Sequence, residues 1–133
     1  MAVAKHLLVV DDDAFFRDIL ARFLRNCGYR VECCSNGYEA LKYLRSGERP
    51  HLILLDLRMD GLDGWQFRQL QREDSDLADI PVVVLSGVAG YQSDQADLEV
   101  AACLEKPCSL DLLLSTIERL TGNGTLVEEA AAS

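Results

Sequence analysis

Short, nearly continuous apolar runs alternate along the chain with longer stretches whose apolar positions recur every three or four residues. His6–Val10 is the first run and predicts a strand. Asp13 then stands where a helix cap is wanted, and Phe16, Ile19, Leu20, Phe23 and Cys27 follow at helical spacing with Arg17, Asp18, Arg22 and Arg25 between them. Gly28 marks the stop. Tyr29–Cys34 predicts a second strand, and Ser35 is positioned to cap a helix carrying Ala40, Leu41 and Leu44 that ends near Gly47. His51–Leu55 predicts the third strand, 57–63 a loop, and Asp63 the cap of a helix bearing Trp65 and Leu70. Pro81–Leu85 and Ala101–Leu104 predict two further strands. Between them, Ser86–Glu99 has few apolar anchors and predicts a short, weakly held helix. Ser109 caps a last helix with Leu110, Leu113, Leu114, Ile117 and Leu120 on its apolar side.

Five strands alternating with helices predict an α/β fold, a doubly wound parallel sheet with helices on both faces. The apolar strand runs agree, because parallel strands are buried on both sides. The expected domain covers residues 5–121, and 122–133, Gly-rich and then acidic and alanine-rich, reads as a tail or the start of a linker.

Composition changes this picture little. At 133 residues the chain suits one core. No apolar run approaches the roughly 20 residues needed to cross a bilayer, and the first apolar stretch ends in three aspartates rather than a secretory cleavage site. A cytoplasmic location without membrane insertion is expected. The net charge of −9 and the lack of a basic cluster argue against direct nucleic-acid binding. The five cysteines form no C-x-x-C pair, and adjacent Cys33 and Cys34 would point to opposite faces of a strand, so neither a metal site nor a disulfide framework is expected.

The chemistry lies in where the polar residues fall. Asp11 and Asp12 follow the first strand, Asp56 the third, Ser86 the fourth, and Lys106 comes two residues after the fifth. Ligands of open parallel sheets bind beyond the carboxyl ends of the strands. Three carboxylates, a hydroxyl and an ammonium are thus delivered to one edge. Clustered carboxylates repel unless a cation sits among them, and oxygen ligands without His or Cys favour Mg²⁺ over zinc. One carboxylate could attack phosphorus, while the cation and lysine neutralise the transferring oxygens. Asp13 reads as a helix cap only, His6 and His51 as structural residues, and Trp65 as a residue near the rim of the site.

With VVDDD at 9–13, LLDLRM at 54–59, LSG at 85–87 and EKP at 105–107, in this order and spacing, the sequence resembles a response-regulator receiver domain over roughly residues 5–121. The resemblance implies strand order 2-1-3-4-5. It implies that Asp56 is the phosphoacceptor and that Asp11, Asp12, Asp56 and the backbone carbonyl of Arg58 hold Mg²⁺, or Mn²⁺ in its place, with Asp12 the direct ligand of the acid pair. Ser86 and Gly87 match the phosphoryl-binding switch segment and Lys106 the lysine that pairs with the phosphoryl group. Lys106–Pro107 matches a cis peptide, the one kind of link where cis is cheap. The implied partners are a sensor histidine kinase or histidine phosphotransfer domain upstream, and a downstream protein target or a fused output domain. The implied readout surface comprises the 86–99 segment, the fifth strand and the last helix.

Two positions depart from the family pattern. Cys103 stands where receivers commonly carry an aromatic that swings inward with the hydroxyl residue, so that readout lacks its usual side chain. Met59-Asp60 replaces Met-Pro, which predicts a looser loop with added negative charge near the metal. Arg58 and Val88 occupy positions that tune dephosphorylation in the family. The rivals fit less well. An aspartate-nucleophile phosphatase wants D-x-D followed by Gly-Thr, whereas Asp13 precedes Ala14-Phe15. A flavin carrier would meet three repelling aspartates where it needs a phosphate cradle. A cysteine redox sensor lacks an activating cation beside its thiol. A receiver-shaped adaptor that is never phosphorylated would have no need of the complete set of site residues.

Overall fold

The computed structural model describes residues 4–86, 99–106 and 109–122. Five parallel strands, β1 (His6–Val10), β2 (Arg30–Cys34), β3 (Leu52–Leu55), β4 (Val82–Ser86) and β5 (Ala102–Glu105), form one sheet in the order β2-β1-β3-β4-β5. The described helices are α1 (Ala14–Asn26), α2 (Gly37–Arg45), α3 (Gly64–Glu73) and α4 (Leu110–Thr121). The doubly wound α/β architecture and strand order expected from the sequence are those observed. No described helix is long and apolar enough to cross a membrane.

The strands alternate their side chains between two cores. Leu8, Val10, Ile53, Leu55, Val82 and Val84 pack with Ala40, Leu41 and Leu44 of α2 and Phe67 of α3. Leu7, Val9, Leu52, Leu54, Val83 and Leu85 pack with Leu20 and Leu24 of α1 and Leu113 and Ile117 of α4. Each such side chain removed from water contributes about 1.5–3 kcal/mol. Burial on both faces explains why the strands read as unbroken apolar runs. Cys33 and Cys34 fall on opposite cores, as adjacent strand residues must, and the described cysteines are free thiols.

Helix starts follow side-chain capping. Asp13, Asp63 and Ser109 accept from the backbone N–H groups of Phe16, Gln66 and Leu112, as expected. Asn36, not Ser35, caps α2: its Oδ1 accepts from the Glu39 N–H, while the Ser35 N–H and O–H both donate to the Glu39 carboxylate. The difference is physical, since Glu39 satisfies Ser35 and leaves the amide of Asn36 closer to the first turn. On α1 the buried side is Leu20, Ala21 and Leu24, and Ile19 is half exposed although its spacing placed it with the core. The strand bounds also shift by one residue, β4 running to Ser86 and β5 to Glu105, so Lys106 follows its strand directly. Of the expected helix over 86–99, residues 87–98 lie outside the described residues, as do Gly87, Val88, Pro107, Cys108 and the tail from 123.

Candidate functional site

The carboxyl edge of the sheet is held by the ladder itself. The Asp11 N–H donates to the Cys34 carbonyl at 3.1 Å and the Asp56 N–H to the Val10 carbonyl at 2.9 Å. Each aspartate is therefore fixed to the neighbouring strand one residue beyond its own. Asp11, Asp12 and Asp56 each offer a carboxylate oxygen, and these oxygens lie within 4.8 Å of one another. Asp11 and Asp56 are nearly inaccessible, at 2% and 8% exposure, whereas Asp12 faces solvent.

The three acids differ in how they are compensated. Both oxygens of Asp11 are engaged: Oδ1 accepts from the Asp13 N–H at 2.9 Å and Oδ2 from the Lys106 ammonium at 2.8 Å. The Arg17 guanidinium donates to the Asp11 carbonyl at 2.7 Å. Lys106 reaches the site across the ring of Phe16, 4.2 Å from its centroid, a distance at which an ammonium is attracted by the ring face. Among the described residues, Asp56 Oδ1 takes a long contact of 3.4 Å from the Arg58 N–H. Burial pushes the Asp56 carboxyl up to about 6, opposed by Lys106 and reinforced by the charges of Asp11 and Asp12.

A hard divalent cation fits this donor set. It is all oxygen, it carries more negative charge than Lys106 neutralises, and it opens to solvent at Asp12. A cavity of about 310 Å³ adjoins it, lined by Asp12, Leu57, Arg58, Met59, Asp60, Asp63 and Trp65. The approach of α3 is close here. A Cβ on Gly64 would lie 2.4 Å from the Asp56 carbonyl oxygen and 2.6 Å from Leu57 Cα, so only glycine lets the helix start against the acid-bearing loop.

The structure thus brings together Asp11, Asp12, Asp56 and Lys106, with the Arg58 backbone beside Asp56. Ser86 ends β4 at the same edge, paired with Glu105. Cys103, on β5, packs against the core that Phe67 and Val84 share, together with partly buried Trp65 and Val100. Gly87 and Pro107 lie outside the described residues. Sequence reasoning missed the parts played by Phe16 under Lys106, Arg17 on the Asp11 carbonyl and Gly64 against Asp56. Phe16 and Arg17 gave no signal, because their partners are long-range or backbone atoms. Gly64, directly after a helix cap, was a readable one.

Comparison with known proteins agrees with this geometry. The profile of the response regulator receiver domain matches residues 7–118. The response regulator MprA of Mycobacterium ulcerans is 36% identical over 128 residues, covering 95% of this chain and 54% of that protein. MprA of Mycobacterium tuberculosis is 37% identical over 129 residues, with 96% and 54% covered. The chain therefore spans about half the length of the curated relatives it matches. Among solved structures, the receiver domain of a signal transduction histidine kinase from Syntrophus aciditrophicus superimposes with a TM-score of 0.81 at 31% identity, covering 90% of this chain and 92% of the other. The response regulator TrrA of Thermotoga maritima, in complex with Mg²⁺-BeF, gives 0.79 at 29% identity, with 87% and 98% covered. By sequence motifs, strand order and family profile alike, the chain belongs to the response regulator receiver domain family of two-component signalling.

Proposed function

We propose that residues 5–121 accept a phosphoryl group on Asp56 from a phosphohistidine of a sensor kinase or phosphotransfer domain, and that residues 122–133 are a tail or linker. The observation that carries this reading is the unequal treatment of the three acids. Among the described residues, Asp11 is already held by Lys106 and by the Asp13 N–H, while Asp56 is buried, takes one long N–H contact and lies beside solvent-facing Asp12. Asp56 is thus the carboxylate with an oxygen to spare for bond formation, and Asp12 the one of the acid pair with freedom to ligate a cation directly.

Mg²⁺, with Mn²⁺ as a substitute, would be held by Asp11, Asp12, Asp56 and the Arg58 carbonyl, and when bound it neutralises the oxygens of the phosphoryl group in flight. TrrA, crystallised with Mg²⁺-BeF, is a relative whose contents support this assignment. In the transfer, an Asp56 carboxylate oxygen forms a bond to phosphorus as the P–N bond to the donor imidazole breaks, and the imidazole departs with the electron pair. Lys106 would pair with the phosphoryl oxygens, and its contacts with Asp11 and the Phe16 ring, which hold its ammonium at the cluster, support this role. By the family resemblance, Ser86, at the end of β4, and Gly87 would be hydrogen-bonding partners of the new group. Water later cleaves the acyl phosphate, so the domain acts as a self-resetting switch rather than as an enzyme with a separate substrate. The phosphoryl group biases the surface around 86–99, β5 and α4, where a protein target or a fused output domain is regulated. Cys103 implies that this bias does not use an aromatic at position 103. The place of action is the cytoplasm.

The test is incubation with a small acyl phosphate and Mg²⁺ followed by intact mass. One phosphoryl group should be gained by the wild type, and none by Asp56→Asn or by the wild type in EDTA. A wild type that gains nothing, with Trp65 fluorescence indifferent to Mg²⁺, rejects the reading in favour of a non-phosphorylated adaptor.

A further inference from the structure

Position 60 is where the sequence leaves the family's Met-Pro pattern. Proline has no backbone N–H, and Asp60 does. That N–H lies 3.3 Å from Oδ2 of Asp12, across 48 residues of sequence. We propose that Asp60 is a positioning residue for the cation site, acting through its backbone N–H on the carboxylate of Asp12. The proposal rests on the reading of Asp12 as a Mg²⁺ ligand.

The surrounding geometry gives the contact a purpose. Asp12 is the exposed member of the acid cluster, and an exposed carboxylate samples several rotamers unless something selects one. The loop that supplies the N–H is itself anchored. At its start and end the Gly64 N–H donates to the Leu57 carbonyl at 2.9 Å, and on its outer side the Gly37 N–H donates to the Leu62 carbonyl at 3.1 Å. Asp63 closes a reciprocal capping box with Gln66. Gly61 adopts φ 77°, a left-handed conformation that reverses the chain directly after Asp60. Asp60 is therefore presented to Asp12 by a segment tied to α2, α3 and the backbone beside the phosphoacceptor. The loop without proline uses the gained N–H to hold a metal-binding side chain, a contact that a proline at this position cannot make. Outer partners that orient a ligating carboxylate commonly raise metal affinity by an order of magnitude or more.

The side chain of Asp60 also lines the cavity with Asp12 and Trp65, and its charge attracts cations independently of the N–H. Two variants separate the effects: Asp60→Pro removes the N–H and the charge, and Asp60→Asn removes the charge alone. Mg²⁺ is titrated as the chloride, without a phosphodonor, and binding is read from the fluorescence of Trp65, the single tryptophan. Melting temperature in EDTA verifies that each variant is folded. Asp60→Asn should bind within about twofold of wild type, because an exposed charge is screened at physiological salt. Asp60→Pro should bind about tenfold more weakly. Equal Kd values for wild type and Asp60→Pro, or an equal loss in both variants, overturn the proposal. Should Asp60→Pro not fold, amide exchange of Asp60 in the ¹⁵N-labelled wild type decides. Exchange slower than in Asp12→Ala supports the contact, and exchange at the same rate overturns it. A wild type that does not bind Mg²⁺ at all rejects the functional reading together with this inference, whereas a binding wild type with indifferent variants rejects only the inference.

Discussion

The ammonium of Lys106 lies 2.8 Å from Oδ2 of Asp11, a carboxylate that is 3% exposed, so the lysine is already engaged within the acid cluster. This pairing sets a competition. On the proposed function, a divalent cation entering the acid cluster and a phosphoryl group on Asp56 would both alter what Lys106 gains from Asp11.

Replacing Lys106 by Met should lower the melting temperature strongly in EDTA, because a buried carboxylate left without its partner costs about 3 kcal/mol or more. Mg²⁺ should restore much of that loss, and Mg²⁺ should bind a few-fold more tightly, roughly three- to tenfold, once the competing ammonium is gone. Melting curves with and without Mg²⁺, and a Trp65 titration, measure both effects. Equal destabilisation in EDTA and in saturating Mg²⁺ would contradict the competition.

The buried Asp56 carboxyl gives a pH dependence of definite sign. Its folded value is raised from 3.8 to about 6, chiefly by burial, so between these values the native state keeps a proton that the unfolded chain releases. Stability of the metal-free protein should therefore fall as pH rises through that window. Mg²⁺ must displace the same proton, so its stabilising effect should be small near pH 4 and grow to full size above about pH 6. Melting temperatures across this range, with and without Mg²⁺, check the slope. Asp56→Asn should flatten the metal-free profile, and a Mg²⁺ effect that is constant from pH 4 to 8 would count against the assignment.

Gly64 should tolerate no side chain. A Cβ there meets the Asp56 carbonyl oxygen at 2.4 Å and Leu57 Cα at 2.6 Å, both backbone atoms that yield only if the acid loop moves. Gly64→Ala is expected to cost about 2 kcal/mol or more in urea unfolding and to weaken Mg²⁺ binding as well. Gly28→Ala, strained by its φ of 97° but with open space around its Cβ, should lower stability without touching Mg²⁺ affinity.

Two arginines on α3 reach Glu99 in different ways. Buried Arg68 donates to the Glu99 carbonyl at 2.8 Å and to Gln71 Oε1 at 2.8 Å, while the Arg72 guanidinium meets the exposed Glu99 carboxylate at 3.1 Å. Glu99 holds φ 52°, the sole left-handed value at a non-glycine residue among those described. Removing the buried donor in Arg68→Met should cost about 2–3 kcal/mol, whereas Arg72→Ala should cost less than about 1 kcal/mol. Chemical denaturation of the two variants distinguishes them, and equal costs would show that burial does not set the strength of these contacts.

Much of the fold was legible because each local signal agreed with the others. Unbroken apolar runs of about five residues such as His6–Val10 are too short for buried helices and fit strands covered on both faces, and Asp13, Asp63 and Ser109 announced their helices. Asn36 was hidden by Ser35, an equally good cap one residue earlier, and only the Glu39 carboxylate decides between them. Ile19 obeyed helical spacing yet lies at the edge of the buried stripe, a position that spacing cannot separate from its centre. The residues of the acid cluster were readable as strand-end positions. Their compensation was not, because Lys106 is 95 residues from Asp11 and Phe16 enters the site through its ring face. The His6 N–H bonded to His51 Nδ1 and the Tyr43 hydroxyl 2.9 Å from His6 Nε2 are likewise long-range contacts, and they give both histidines structural partners at the opposite end of the sheet.

On the proposed function, Asp56 and no other carboxylate of the cluster forms the bond to phosphorus. The protein is incubated with an acyl phosphate and Mg²⁺, the acyl phosphate is reduced with borohydride, and the resulting homoserine is located by tandem mass spectrometry of peptides. Homoserine at position 56 alone, lost on omission of Mg²⁺, is the predicted result. Homoserine at position 11 or 12, or at no position while the protein remains folded and binds Mg²⁺, would contradict it.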